Sequence, residues 1–358
     1  MVFLVLNVFN LIKTVPAEIS KLKALDMQKG STVTHQNSNN ETYPDIYFMV
    51  FDEFSGFQAM RDYWQNNKVD QFKSFLESKG FYVMENCRSE SIDTLHELAT
   101  RLNYQKYPME PGASKTWFRN IANNQVMKYL RLRGYSTVVF EEISYAYPTA
   151  PAIESDFLFN VDNVSLSDVN SLFDEFGMLV ADRSILIAFS QYYKTDNPLF
   201  QKHQNMITFT SEKISNLGEV PAPKFVFSHM LIPHFPFMFA ENGQINDPIN
   251  FYNWNYYEGH YNFSLTVIEK IITSILEKSD PNNPPVIILQ SDHGARNQLT
   301  GNPGSAVLKD FPEEYKLDIM SALYLPRYDY SQLTNGLDPI NIFPIVFNHV
   351  FKDTIPIR

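Results

Sequence analysis

Four short segments of this chain set acidic, imidazole or hydroxyl side chains directly beside runs that read as buried structure. The first is Asp52-Glu53, immediately after the apolar run IYFMVF (Ile46–Phe51). A carboxylate pair there is costly unless it meets solvent or a cation; it is either a loop carboxylate capping the next helix or a metal ligand. The second is Ser291-Asp292-His293-Gly294, after VIILQ (Val286–Gln290). Asp and His side by side offer one hard oxygen and one imidazole, which suits zinc or manganese. Gly294 permits a tight turn that aims both inward; the plainer alternative is an ordinary polar turn. The third is His229-Met-Leu-Ile-Pro233-His234-Phe-Pro236-Phe237, after KFVFS. Its prolines hold the backbone, so the two imidazoles are either fixed for ligand contact or incidental in an aromatic loop. The fourth, Ser91–Asn103, begins a helix with Leu95, Leu98, Ala99 and Leu102 on one face. Thr94 stands at its start with Glu97 three residues on, the pattern of a capping box. The same place suits a nucleophile, because a helix N-terminus favours anions and a coordinated metal lowers a hydroxyl's pKa.

These segments need a frame that brings them together. Ile46–Phe51, Tyr135–Phe140, Lys224–Ser228, Val286–Gln290 and Ser321–Leu325 read as buried strands. Helical patterns alternate with them. One covers Asn120–Arg133 and ends at Gly134; another covers Ser264–Lys278, with Val267, Ile268, Ile271, Ile272, Ile275 and Leu276 on one face before the proline pairs that follow. Alternation of this kind predicts an α/β domain with a largely parallel sheet and helices on both faces. In such sheets ligands bind at the carboxyl ends of strands, where the chemical residues stand.

Composition narrows the partners. The chain has 358 residues, 44% hydrophobic and 15% aromatic, which excludes a disordered, collagen-like or coiled-coil chain. Its 29 basic and 40 acidic residues leave a net charge of −11, which argues against nucleic-acid binding and makes an anionic substrate depend on a local positive centre. The lone cysteine, Cys87, excludes an intrachain disulfide and a multi-cysteine zinc cluster. Met1–Ile12 is almost wholly apolar but too short to span a bilayer. It is the end of a transmembrane helix begun upstream, an interfacial anchor, or a buried arm. The polar stretch to Tyr43 reads as a linker, so residues 1–43 are expected to precede a folded catalytic domain over 44–358. Sequons at Asn40, Asn163 and Asn262 carry little weight.

Taken in order, PDIYFMVFDEF (Pro44–Phe54), SIDTLHELATRLN, HMLIPHFPF and ILQSDHGAR (Ile288–Arg296) resemble the alkaline phosphatase/sulfatase superfamily. The nearest likeness is its membrane-associated, sulfatase-like branch, which includes phosphoethanolamine and glycerophosphate transferases. MSALYLP and Asp338–Phe351 resemble the family's closing segment, so the likeness runs from about Pro44 to the C-terminus. It implies a three-layer α/β/α sandwich. Asp52, Asp292 and His293 then match metal ligands, and Thr94 matches the nucleophile, itself a ligand. His229 and His234 match a loop that contacts substrate or protonates the leaving group; Arg296 would meet an anionic oxygen, and His260 is a further substrate candidate.

The likeness implies a metal-dependent hydrolase or transferase of phosphate or sulfate esters, acting on envelope lipids or glycans at the outer side of a cytoplasmic membrane. Membrane association would run through the N-terminus or an upstream segment. Cys87 is followed by Arg-Ser-Glu-Ser and lacks the C/S-x-P-x-R signature, so formylglycine chemistry is not expected. With eight histidines and no second cluster, one divalent ion is expected, zinc or manganese ahead of magnesium or calcium; His234 or Glu53 could assist a second. The rival expectation is an inert relative that binds glycan or envelope, and metal content separates the two. Because Asp52 and Asp292 lie near opposite ends of the chain, a single catalytic domain is expected.

Overall fold

The computed structural model describes residues 42–110, 112–140, 142, 147, 150–160, 198–297 and 308–358. The apolar start, nearly all of the expected linker, and the sequons at Asn40 and Asn163 lie outside them. The strands are β1 (Ile46–Phe51), β2 (Tyr82–Met84), β3 (Ser136–Phe140), β4 (Phe157–Phe159), β5 (Lys224–Met230), β6 (Val286–Ser291) and β7 (Ser321–Tyr324). They form one sheet in the order β2-β7-β6-β1-β5-β3-β4. Pairing is parallel from β6 through β4, and antiparallel where β7 meets β6 and β2.

β1 sits in the middle, flanked by β5 and β6, which is why it reads as an unbroken apolar run. Its residues alternate between two cores. Tyr47, Met49 and Phe51 enter one; Ile46, Phe48 and Val50 enter the other. Among the described residues the helices are α1 (Phe57–Asp62), α2 (Lys68–Ser78), α3 (Thr94–Asn103), α4 (Ser114–Ala122), α5 (Gln125–Arg131), α6 (Pro198–Lys213), α7 (Tyr257–Lys278) and α8 (Ile342–Phe351). Side chains of α1, α2, α6 and α7 fill the first core; those of α3, α4, α5 and α8 fill the second. The molecule is thus a three-layer α/β/α sandwich with a largely parallel sheet. Residues 41–358 form one compact unit.

Burial of each large apolar side chain in these cores contributes about 1.5–3 kcal/mol. The acidic residues at the carboxyl ends of the central strands contribute none of this; they stand along the carboxyl-terminal edge of the sheet. Register brings that edge together. Phe51 is level with Met230 on β5 and Ser291 on β6, so the chain leaves all three strands side by side.

Two local expectations need correction. Asn120–Arg133 is not one helix. The chain breaks at Asn123, and the Asn124 side chain accepts from the Met127 amide to start α5. The break lets Asn103, at the end of α3, accept the Gln125 amide. The helix expected over Ser264–Lys278 begins earlier, at Tyr257. The edge strands β2 and β4, three residues each, carry too short a pattern to stand out in the sequence.

Candidate active site

Asp52 follows β1, and its amide donates to Met230 O at 2.9 Å. Asp292 and His293 follow β6. His229 is the penultimate residue of β5, level with Val50. The strand was expected to stop at Ser228; its continuation to Met230 makes His229 part of the sheet rather than of the loop. Thr94 is the first residue of α3. Its expected role as cap is taken by Asp93, whose carboxylate accepts from the His96 amide at 3.0 Å. Glu97 therefore does not close a capping box with Thr94; it accepts from the Ser91 amide at 2.7 Å. Relieved of capping, the Thr94 hydroxyl donates to Asp292 Oδ2 at 2.7 Å and lies 3.4 Å from His293 Nε2.

The cluster is tight. His229 Nε2 is 3.6 Å from Asp52 Oδ2 and 3.7 Å from Asp292 Oδ2. His293 Nε2 is 3.4 Å from Asp292 Oδ2 and 3.7 Å from Asp52 Oδ1. Donor atoms of Asp52, His229 and Asp292 all fall within 4.8 Å of one another, and all three residues are buried. Asp292 is the hub. Its Oδ1 accepts from the amides of Glu53 (3.0 Å) and His293 (2.7 Å), which aims Oδ2 at Thr94. Burial opposes its ionisation, but the His293 and His229 rings and the Thr94 hydroxyl prevail and hold the carboxyl well below the usual range.

Metal-free, this arrangement leaves groups unsatisfied. His293 Nδ1 lies 2.8 Å from Gly294 O, which keeps a proton on Nδ1 and turns Nε2 toward the carboxylate oxygens. Both ring nitrogens of His229 are buried with no hydrogen-bond partner. Two carboxylates buried side by side repel, and a divalent cation held between them and the ring nitrogens would offset that. The donor set of two carboxylates, imidazole and hydroxyl therefore fits a divalent metal.

Gly294 serves differently from expectation. Its backbone is not left-handed; a Cβ there would stand 2.3 Å from Tyr315 O and 2.7 Å from Asp318 O. Glycine is required by the close approach of the 315–318 segment. The left-handed residue is Glu53, with φ of 60°. Tyr257 at the start of α7 holds it, its hydroxyl donating to Glu53 O at 2.8 Å and accepting from the Ser55 amide at 3.1 Å.

Beside the cluster, Glu53 Oε1 accepts from the Arg296 amide (2.8 Å) and Nε (3.1 Å). An Arg296 Nη2 hydrogen bond reaches His234 Nε2, and Glu53 Oε2 lies 4.0 Å from the same nitrogen. Burial, then the Arg296 charge, push the His234 pKa well below its ordinary value. His234 and Arg296 thus adjoin the cluster. His260 does not. It is buried in α7, accepts the Phe239 amide at 3.2 Å and stacks on the Phe239 ring. Asn262, the remaining sequon, is also buried, and its Oδ1 accepts from Asn66 at 2.7 Å. The sequence reading places His229 among substrate contacts; the pairing of β5 with β1 sets its ring beside the Asp52 and Asp292 carboxylates, a placement no sequence pattern signals.

No protein-family model matches the sequence, and no curated protein matches it. Solved structures do. The C-terminal periplasmic domain of EcEptC from Escherichia coli superposes with a TM-score of 0.54 at 13% identity, over 88% of this chain and 84% of that one; that domain is also known in a zinc complex. The soluble domain of lipooligosaccharide phosphoethanolamine transferase A from Neisseria meningitidis gives 0.52 at 12%, over 87% and 89%. An alkaline phosphatase superfamily protein from Vibrio parahaemolyticus gives 0.50 at 11%, over 87% and 67%. At these identities the likeness is one of fold alone, shared with these three structures.

Proposed function

We propose that this chain is a metal-dependent phosphoester transferase or hydrolase with Thr94 as its nucleophile. One observation carries the reading. A hydroxyl at a helix N-terminus lies 2.7 Å from a carboxylate that also belongs to a buried Asp-His-Asp cluster. The catalytic unit is taken as residues 44–358. Asp52, His229, Asp292, His293 and Thr94 would hold one divalent ion. The mix of imidazole and carboxylate donors favours zinc, with manganese next. When bound, that ion supplies Lewis acidity to the Thr94 oxygen and to the ester.

The Thr94 proton points at Asp292 Oδ2, which leaves the oxygen lone pairs for phosphorus. The amides opening α3 favour the ester's negative oxygens. Arg296 takes the remaining anionic oxygen, with Glu53 and His234 fixing the guanidinium. The Thr94 oxygen would bond to phosphorus as the ester P–O bond breaks, its proton passing by way of solvent to the leaving alkoxide. An acceptor hydroxyl, or water, would then take the phosphoryl group as the Thr94 O–P bond breaks, its own proton returning to Thr94. The known transferase of this fold from Neisseria acts in lipooligosaccharide modification by its name. By that support the substrate here is an anionic ester of an envelope lipid or glycan, met outside the cytoplasmic membrane. No described helix is long and apolar enough to cross a membrane, so attachment would fall to residues outside the described ones.

The test is release of p-nitrophenol from its phosphate monoester, a phosphodiester and the sulfate, with zinc or manganese, with and without lipid acceptors. Phosphodiester or monoester turnover that falls about a thousandfold or more in Thr94→Ala is expected. Unchanged turnover in that variant overturns the nucleophile, and a protein that binds neither metal overturns the reading.

A further inference from the structure

We propose that the buried Arg101–Glu97 pair is a positioning device that locks the metal-bearing end of β6 onto the helix carrying Thr94. The inference rests on the functional reading above and deepens it. It begins with the spacing. Thr94 and Arg101 are seven residues apart, two turns of α3, so both side chains leave the same face. Both meet Asp292. Thr94 Oγ1 donates to its carboxylate at 2.7 Å, and Arg101 Nη2 donates to its backbone oxygen, also at 2.7 Å. Arg101 Nη1 donates to Ser291 O at 2.5 Å. One helix therefore holds the metal carboxylate by its side chain and by its backbone.

The carbonyls concerned lie where β6 leaves the sheet, and such groups need donors from elsewhere. A guanidinium fork reaches two successive carbonyls at once; an ammonium has no fork. The charge is balanced locally. Glu97 Oε2 accepts from Arg101 Nη2 at 3.0 Å, and Glu97 Oε1 accepts from the Ser91 amide at 2.7 Å and the Ser91 hydroxyl at 3.1 Å. The chain of contacts runs from the turn before α3, through the ion pair, to the residue that orients the nucleophile. Both partners are almost fully buried, 1% and 2% exposed. A buried ion pair adds little to stability beyond what a well-packed apolar pair gives, and Arg101 Nε finds no acceptor. What an apolar pair lacks is the hold on the two carbonyls.

Three variants of the full chain test this: Arg101→Lys, Arg101→Met, and the double variant Arg101→Met with Glu97→Met. Each is measured for thermal stability, zinc affinity by chelator competition, and kcat and KM on the phosphodiester. Arg101→Met alone is expected to melt early, because it strands the Glu97 charge. The double variant is expected to melt above Arg101→Met, because no charge is stranded, yet bind zinc about 10–100-fold more weakly than the parent and lose a similar factor in kcat with KM little changed. Arg101→Lys, which keeps the charge, is expected to melt near the parent and lose about tenfold or more in both. A double variant, or a lysine variant, with the parent's zinc affinity and kcat overturns the inference. A parent chain that binds neither zinc nor manganese overturns the functional reading and this inference together; a parent that binds metal beside unaffected variants overturns the inference alone.

Discussion

At the scale of single residues, the least expected assignment is His229. Its imidazole is buried between Asp52 and Asp292 with no hydrogen-bond partner on either nitrogen. A substrate-contacting histidine needs an open side; this one faces two carboxylates. His229→Ala is therefore expected to weaken zinc binding about 10-fold or more, an effect readable without any substrate. The same change at a residue that only touched the ester would raise KM and leave metal affinity untouched. Chelator competition on the two proteins decides between these outcomes. Asp292 and His293 were visible in the sequence because they are adjacent and follow an apolar strand. His229 was visible as a histidine but not as a ligand, because nothing in KFVFSHM says which strand lies beside it.

At the scale of elements, the site depends on short segments pressed against one another. Asp318, between the 315–317 turn and β7, places its carboxylate at the start of α1 and accepts the Ala59 amide at 2.8 Å. Gly56 has no side chain where that carboxylate lies; a Cβ there would be 2.5 Å from it. Burial pushes the Asp318 carboxyl up to about 6, the Ala59 hydrogen bond only partly offsetting it. In the unfolded chain it titrates near 3.9. The folded state thus prefers the proton, so this group's contribution is complete below about pH 4 and is lost as pH rises through 6. Asp318→Asn keeps an acceptor for Ala59 and has no charge to bury. Relative to the parent, it is expected to gain about 2–3 kcal/mol between pH 4 and pH 7.5. Urea unfolding at several pH values measures this; a relative gain toward acid instead would reverse the assignment.

At the scale of the whole molecule, a chain of net charge −11 gathers three of its carboxylates, Asp52, Glu53 and Asp292, into one buried corner. Arg296 answers Glu53. The pair at Asp52 and Asp292 gains most from a cation, so metal and fold should be linked. Binding to the folded state alone stabilises it by about 2.7 kcal/mol at a hundredfold excess over Kd. Removing metal with a chelator is expected to lower the melting temperature by about 5 °C or more, and zinc should restore it. A melting curve indifferent to chelator and zinc would count against a metal held among these five residues.

How much was legible beforehand follows from the range of each interaction. Ile46–Phe51 and Val286–Gln290 announced buried parallel strands because burial on both faces demands an unbroken apolar run, a property of six residues alone. The Asp-His-Gly turn and the Asp52 carboxylate announced metal chemistry because charge beside such runs is costly. The break at Asn123 escaped because the Gln125 amide finds its acceptor in Asn103, on another element. The cap at Asp93 escaped because Thr94 carries the same kind of oxygen one residue later. The sequence by itself therefore determined the layers, the parallel sheet and the identity of most candidate ligands, all of which are written in local patterns of burial and charge. The tertiary structure alone decided that Thr94 meets Asp292 across 198 residues, that the His229 ring lies beside Asp52 and Asp292, that His260 instead accepts the Phe239 amide, and that Arg101 donates to the Ser291 and Asp292 carbonyls. Those depend on strand order and register, which distant segments set between them and no single segment contains.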